Sequence, residues 1–333
     1  MTDAAGDPHA DSPAPSSARR RWHRAGLAAT VVLVAAVVAA LPFAARSMGE
    51  QLFGRERAAR YDLLTGRAVT PADAARTANH ESFFNVAVLG IDEGAGSVTL
   101  AVSGNRVCPG ACPTTRVTLF SLADDADVRQ GLPPSATLPL DPGDLHFTET
   151  LTLPIRGQPS LYPFETWTLW LGLSGGDVGA DGALAPLTAA EVERRAAITV
   201  QNQTGDFRMA APVAIAPDSV RAAADAAPFV AVQGLAFARP DYLRVLAAVL
   251  VLLITVSGLL ALLTRTVGDL LLGVGGLILG VWGVRSIIVP QPVPVATAVD
   301  LVLTLVILVL LLGVVVRVAR HLHRGSELAW TRR

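Results

Sequence analysis

Four apolar runs interrupt the sequence, at 25–45, 242–264, 267–289 and 299–316. A helix needs about 20 mainly apolar residues to cross the hydrocarbon of a bilayer, and each run is near that length. The pattern predicts four transmembrane helices. Arg265-Thr266 leaves room only for a tight loop between the second and third, and Pro290-Gln291-Pro292-Val293-Pro294 forms a stiff, polyproline-like connector between the third and fourth. Residues 1–24 hold Ala, Pro, Ser and Asp, then Arg19, Arg20, Arg21 and Arg24; they have too few large apolar groups for a core and are expected to be a disordered basic tail. The first run exceeds the apolar stretch of about 7–15 residues in a cleaved leader. It reads as an uncleaved signal anchor, although Phe43-Ala44-Ala45 leaves a cleaved signal peptide open.

After the first run the period changes. Residues 46–82 read as a helical linker, from Arg55-Glu56-Arg57-Ala58-Ala59-Arg60 and from Pro71–Arg76 behind Thr70 as N-cap. Residues 83–240 then carry short runs rich in Val, Phe, Thr and Leu: Phe84–Ile91, Ser97–Val102, Thr115–Leu122, His146–Leu153, Thr166–Leu173, Ile198–Gln203, Phe207–Ile215 and Phe229–Phe237. Thr148, Thr150 and Thr152 alternate with Phe147, Glu149, Leu151 and Leu153, the two-residue period of a strand. Gly, Pro and Asp punctuate the gaps. This spacing predicts a mainly-β domain, an antiparallel sandwich or barrel. Short helices are expected at Leu187–Ala197 and Pro217–Ala226.

Composition agrees with a membrane class: hydrophobic residues make up 51% of 333, and the mean hydropathy of +0.46 comes from those four runs. Every Lys-or-Arg position is Arg, which with abundant Ala, Gly and Pro reads as G+C-rich codon usage. The net charge of −1 and the lack of a basic stripe with interleaved aromatics give no support to a nucleic-acid partner. The Arg clusters orient the chain. Arg19–Arg24, Arg265, and Arg317, Arg320, Arg324, Arg332 and Arg333 fall on one side of four spans, the cytoplasmic side. Both termini, including a basic tail at 317–333, are then cytoplasmic, and 46–240 lies outside a cytoplasmic membrane.

In that compartment a disulfide is the natural reading of Cys108-Pro109-Gly110-Ala111-Cys112; two free thiols or a metal site remain alternatives, with no His nearby. Arg285, late in the third span, and Asp300, opening the fourth, would meet at one depth across the Pro-rich connector. A charge inside a span needs a partner or water, so they form either a structural pair or part of a substrate route. Gly276, Gly280 and Gly283 give the third span small residues for close helix packing, either within the chain or against a second copy in a homo-oligomer. Asp124, Asp125 and Asp127, and Asp177 with Asp181, are acidic loops without a calcium-loop pattern. His80 and His146 stand outside any nucleophile or zinc motif, Glu149 and Glu165 are not evidently a carboxylate pair, and no P-loop occurs. No catalytic residue, cofactor or metal is expected. His321 and His323 sit in the basic tail facing lipid.

The run Tyr162-Pro163-Phe164-Glu165 within Leu161–Trp167 resembles the YPFD-type motif of a family of bacterial and some eukaryotic membrane proteins carrying a domain of unknown function. That resemblance covers about residues 85–310. It implies an N-terminal anchor, an outer β-rich domain and three C-terminal spans, with Arg285, Pro290, Pro292, Pro294 and Asp300 at the corresponding positions, and no known activity. The chain departs at Glu165, where the family has Asp, and at Ser286, where Asn is expected. YPFE is also similar to the FPFD segment of the Cys-loop pentameric channels, which have four spans after the receptor domain where three follow here. In either family Pro163 fixes a turn, Phe164 can plug the core, and Glu165 can accept a hydrogen bond from backbone or an Arg. The expectation is a non-enzymatic envelope protein whose outer domain binds a ligand or protein partner. The alternative is a transporter or channel component using Arg285 and Asp300.

Overall fold

A computed structural model describes residues 59–70, 82–122, 131–215, 228–263, 267–288 and 296–330, with parts of a helix between 28 and 49. The expected helices at Arg55–Ala58, Pro71–Arg76 and Pro217–Ala226, the acidic loop at Asp124–Asp127, His80 and the Pro290–Pro294 connector lie outside the described residues. The chain divides into two compact units, one of Ala44–Ala247 with Trp282–Leu305, the other of Met1–Phe43, Ala248–Val281 and Val306–Arg333.

The first unit holds the β domain, which among the described residues has two sheets. One runs in the order β1 (Arg60–Asp62), β9 (Ala196–Asn202), β2 (Ser82–Asp92), β3 (Ser97–Asn105) and β6 (His146–Pro154). The other runs β10 (Arg208–Met209), β12 (Ala231–Ala238), β7 (Thr166–Val178), β4 (Thr115–Ser121) and β5 (Ser135–Leu140), with β8 (Leu184–Pro186) on β7 and β11 (Val213–Ala214) on β12. Alternation sets the inner faces: Val98, Leu100 and Val102 of β3 and Trp167, Leu169 and Leu171 of β7 are buried and belong to one shared core. On the edge strand β6, Thr148, Thr150 and Thr152 are exposed while Leu153 is buried, as the two-residue period requires.

Three features depart from the sequence reading. The 46–82 linker supplies β1, whose Arg60–Asp62 pairs with Gln201–Thr199 of β9. The sheets are not purely antiparallel, because β2 and β9 run parallel from Ser82↔Ala196 to Val88↔Asn202. Such a pair needs a long crossover, and the chain between them crosses through the second sheet. The run Phe207–Ile215 splits into β10 and β11, which pair with opposite ends of β12. The short helix expected near Leu187 is α1 (Ala189–Arg195), started by a capping box in which Thr188 and Glu191 exchange hydrogen bonds.

After β12 come α2 (Asp241–Leu263), α3 (Val267–Ile288) and α4 (Ala298–Trp330). Among the described residues two helices are long and apolar enough to cross a membrane, at Asp241–Ala261 and Ala298–Arg320. Only 22% and 17% of those windows are buried inside the protein, unlike the core helix of a soluble domain. The apolar stretch of α3 is Leu270–Gly283, and that of the N-terminal helix among described residues is Val34–Phe43; both are shorter. Four crossings are therefore not established by length. The helix that carries the fourth run continues beyond it: α4 extends through the basic segment to Trp330.

Candidate functional site

The strands of the β domain end in two chemically different clusters. At one end, Glu93 follows β2, Glu165 precedes β7, and Arg239 follows β12. The pairing Ala238↔Thr166 brings Arg239 beside Glu165. Arg239 Nε donates to Glu165 Oε1 at 2.7 Å, and its Nη2 donates to Glu93 Oε1. Its guanidinium also lies 4.2 Å from the Phe207 ring centroid and 5.1 Å from that of Tyr162. Arg239 and Glu165 are almost wholly buried, at 5% and 0% exposure. The second oxygens, Glu93 Oε2 and Glu165 Oε2, take no hydrogen bond from the described residues. Burial raises the Glu93 pKa and the Arg239 charge only partly opposes that. Burial alone would lower the Arg239 pKa, but the Glu165 hydrogen bond and the Glu93 charge outweigh it, so the guanidinium stays charged.

The Tyr162-Pro163-Phe164-Glu165 motif builds this cluster. A 3-10 turn at Pro159–Leu161 leads into the cis Tyr162-Pro163 bond, and Phe164 N–H closes onto Leu161 O at 2.7 Å. Glu165 receives an Arg, as expected. Phe164 does not plug the core: it is 55% exposed, while Tyr162 and Trp167 are buried. Alternation at the start of β7 points Glu165 and Trp167 inward and Thr166 outward, and Phe164, still in the turn before the strand, faces out. Gly157 makes room for the indole, since a Cβ there would lie 2.2 Å from the Trp167 ring. The motif also reaches α2, where Arg244 Nε donates to Pro163 O at 3.4 Å. Glu149 lies apart, exposed on β6. The carboxylate partner of Glu165 is Glu93, a residue no motif marks.

At the other end the sheets do not close. A cavity of about 820 Å³ opens between them, walled by Phe84, Val86, Val117, Leu119, Leu173 and Ile198 among others. Its mouth carries Arg106, Arg194, Arg195, Asp177 and the Cys108 loop. Arg106 is 6% exposed. Its Nη1 donates to Leu140 O and Asp141 O at 3.3 and 2.9 Å, and its Nη2 to Pro113 O and to Thr115 Oγ1. Thr115 Oγ1 in turn donates to Asp177 Oδ1 at 3.0 Å, and Arg195 Nη1 to Asp177 Oδ2 at 2.8 Å. Burial lowers the Arg106 pKa, against the attraction of Asp177 and Asp144. Cys108 and Cys112 are joined in a disulfide, which shapes the loop at this mouth. Asp181 only folds its own turn, accepting from Ala183 N–H at 3.0 Å. Sequence reading marked Cys108 and Asp177 but not Arg106. Its position directly after β3, before the Cys loop, was the available signal.

In the helices, Arg285 and Asp300 are brought together. Arg285 Nε donates to Asp300 Oδ1 and its Nη2 to Oδ2 at 3.3 Å. Asp300 is also the third residue of a capping box: Thr297 N–H donates to Asp300 Oδ2 at 2.9 Å, and Asp300 N–H to Thr297 Oγ1 at 3.3 Å. Close packing was expected at Gly276, Gly280 and Gly283, within the chain or against a second copy. Among the described residues nothing lies within 4 Å of a Cβ built there, whereas one at Gly258 would meet Leu310 at 2.7 Å. Leu270, Val274 and Leu310 form a packed cluster in the second unit. No protein-family model matches the chain, and no curated protein is detectably similar to it.

Proposed function

We propose that the chain is a non-enzymatic membrane protein of the cell envelope, whose β domain lies outside the cytoplasmic membrane and binds a ligand or protein partner while four helices anchor it in the lipid bilayer. The observation that carries the binding role is the cavity of about 820 Å³ between the two sheets, within the range of about 300–1,000 Å³ usual for ligand pockets. Anchoring is supported by the crossing-length helices Asp241–Ala261 and Ala298–Arg320 and by Arg clusters that fall on one side when 25–45 and 267–289 also cross. Kinship with the YPFD-type membrane proteins is part of the proposal and rests on Tyr162–Glu165, Arg285 and Asp300. The transport alternative has less support, because Arg285 and Asp300 are spent on each other and on Thr297.

Reporter fusions test the topology. Residue 150 and the 290–294 connector should report from outside, and Arg265 and the C-terminus from the cytoplasm; a cytoplasmic residue 150 overturns the reading. Native mass spectrometry of the full chain released from its own membranes tests binding. A bound molecule or stoichiometric partner that survives release is expected, and a bare chain counts against it. An Arg285→Gln variant that folds but loses an ion or solute flux would favour transport instead.

A further inference from the structure

We propose that the inter-sheet cavity takes a molecule with an extended apolar chain and one anionic head, the chain lying among Val86, Val117 and Leu173 and the head at the Arg106–Asp177–Arg195 rim. The inference rests on the ligand-binding reading above and names the class of ligand.

The walls decide the chain. Valine, leucine, isoleucine and phenylalanine side chains from both sheets face the space. A polar ligand would lose its hydration there without recovering hydrogen bonds, whereas an alkyl chain gains by leaving water. The rim decides the head. Among the described residues three guanidinium groups, on Arg106, Arg194 and Arg195, line the mouth against one carboxylate, Asp177. The acidic residues of α1, Glu191 and Glu193, do not line it. Arg106 directs four hydrogen bonds to three carbonyls and a hydroxyl, so its charge is solvated by dipoles, and among the described residues no carboxylate accepts from it. A positive mouth over a low-dielectric cavity focuses its field on an anion. Arg195 is half exposed, with 54% of its side chain accessible, and its guanidinium can take a carboxylate or phosphate head in addition to Asp177. The walls are held in place before binding: the Thr188–Glu191 box starts α1 on one side, and the Cys108–Cys112 disulfide ties the loop on the other. A plain hydrocarbon would make no use of the rim, and a cationic amphiphile would be repelled by it.

A carboxylate or phosphate head could come from a free long-chain acid or from a membrane phospholipid. The test uses the full chain in phosphatidylcholine nanodiscs, with hexadecanoate, hexadecyl phosphate, hexadecanol and hexadecyltrimethylammonium as competitors of a fluorescent long-chain acid. The two anionic probes should compete, the alcohol about 10-fold more weakly, and the ammonium not at all. Arg195→Gln should weaken hexadecanoate about 10-fold and leave hexadecanol unchanged, and Asp177→Asn should tighten hexadecanoate. Equal competition by acid, alcohol and ammonium overturns the head-group assignment but leaves a binding cavity. No competition by any probe overturns the assignment and the binding reading together. A diazirine-bearing acid on the unaltered chain should label β4, β7 and β9 peptides; labelling confined to the helices overturns the cavity as the site without relying on any variant. The mass of the adduct on chain taken from its own membranes separates the sources, a single-chain acid from a two-chain phospholipid.

Discussion

Arg239 and Arg106 occupy opposite ends of the same pair of sheets, are buried alike at 5% and 6% exposure, and are stabilised in opposite ways. Arg239 meets two carboxylates and two aromatic rings, and the end it occupies is packed shut around Trp167. Arg106 meets carbonyl oxygens and a threonine, and the end it occupies stands open. Ionic partners cancel a buried charge, whereas carbonyl dipoles solvate it and leave its field intact. The contrast separates a structural lock from a charged mouth, although both look alike in sequence: an Arg immediately after a strand.

Removing each cation should distinguish them. Arg239→Met strands two buried carboxylates and is expected to cost about 3–5 kcal/mol, the largest effect. Thermal unfolding of the full chain, followed by β-sheet circular dichroism, reads it. Arg106→Met leaves neutral carbonyls beside a cavity that water can enter, and should cost about 1–3 kcal/mol. If Arg106→Met is as damaging as Arg239→Met, the two ends do not differ in kind and the comparison fails.

The smallest effect sharpens the closed end. Glu93 has a folded pKa raised by burial. Between the unfolded value near 4.5 and that raised value the folded state holds more protons, so stability falls as pH rises through this window and is flat above it. Glu93→Gln should remove that slope, read as a loss of the pH dependence in this window relative to the unaltered chain. Parallel pH-stability curves for the two chains would show that Glu93 does not titrate in this range.

Much of the β domain was legible. The runs at Phe84, Ser97, Thr115, His146, Thr166, Ile198 and Phe229 all became strands, because alternation of side chains along a half-buried strand is a local property. β5 and β8 were missed: Pro139 in one and Pro186 in the other demote such runs by propensity, and both lie on sheet edges where a proline is tolerated. β1 was hidden because Arg60–Asp62 is three residues long and its extended form is held by β9, more than a hundred residues away. The candidate site was legible only in part. Glu165 as an Arg acceptor followed from the motif, but which Arg, and that Glu93 shares it, depended on strand register.

By itself the sequence determined the apolar runs, their lengths and flanking Arg, and the strand period, since each depends only on neighbours along the chain. The tertiary structure alone decided the parallel β2–β9 pair, the Glu93–Arg239–Glu165 lock and the cavity. Those depend on which distant residues share a sheet end, and on whether facing side chains meet. No local pattern encodes either, because the free energy of a buried charge or a cavity is set by atoms far away in the chain.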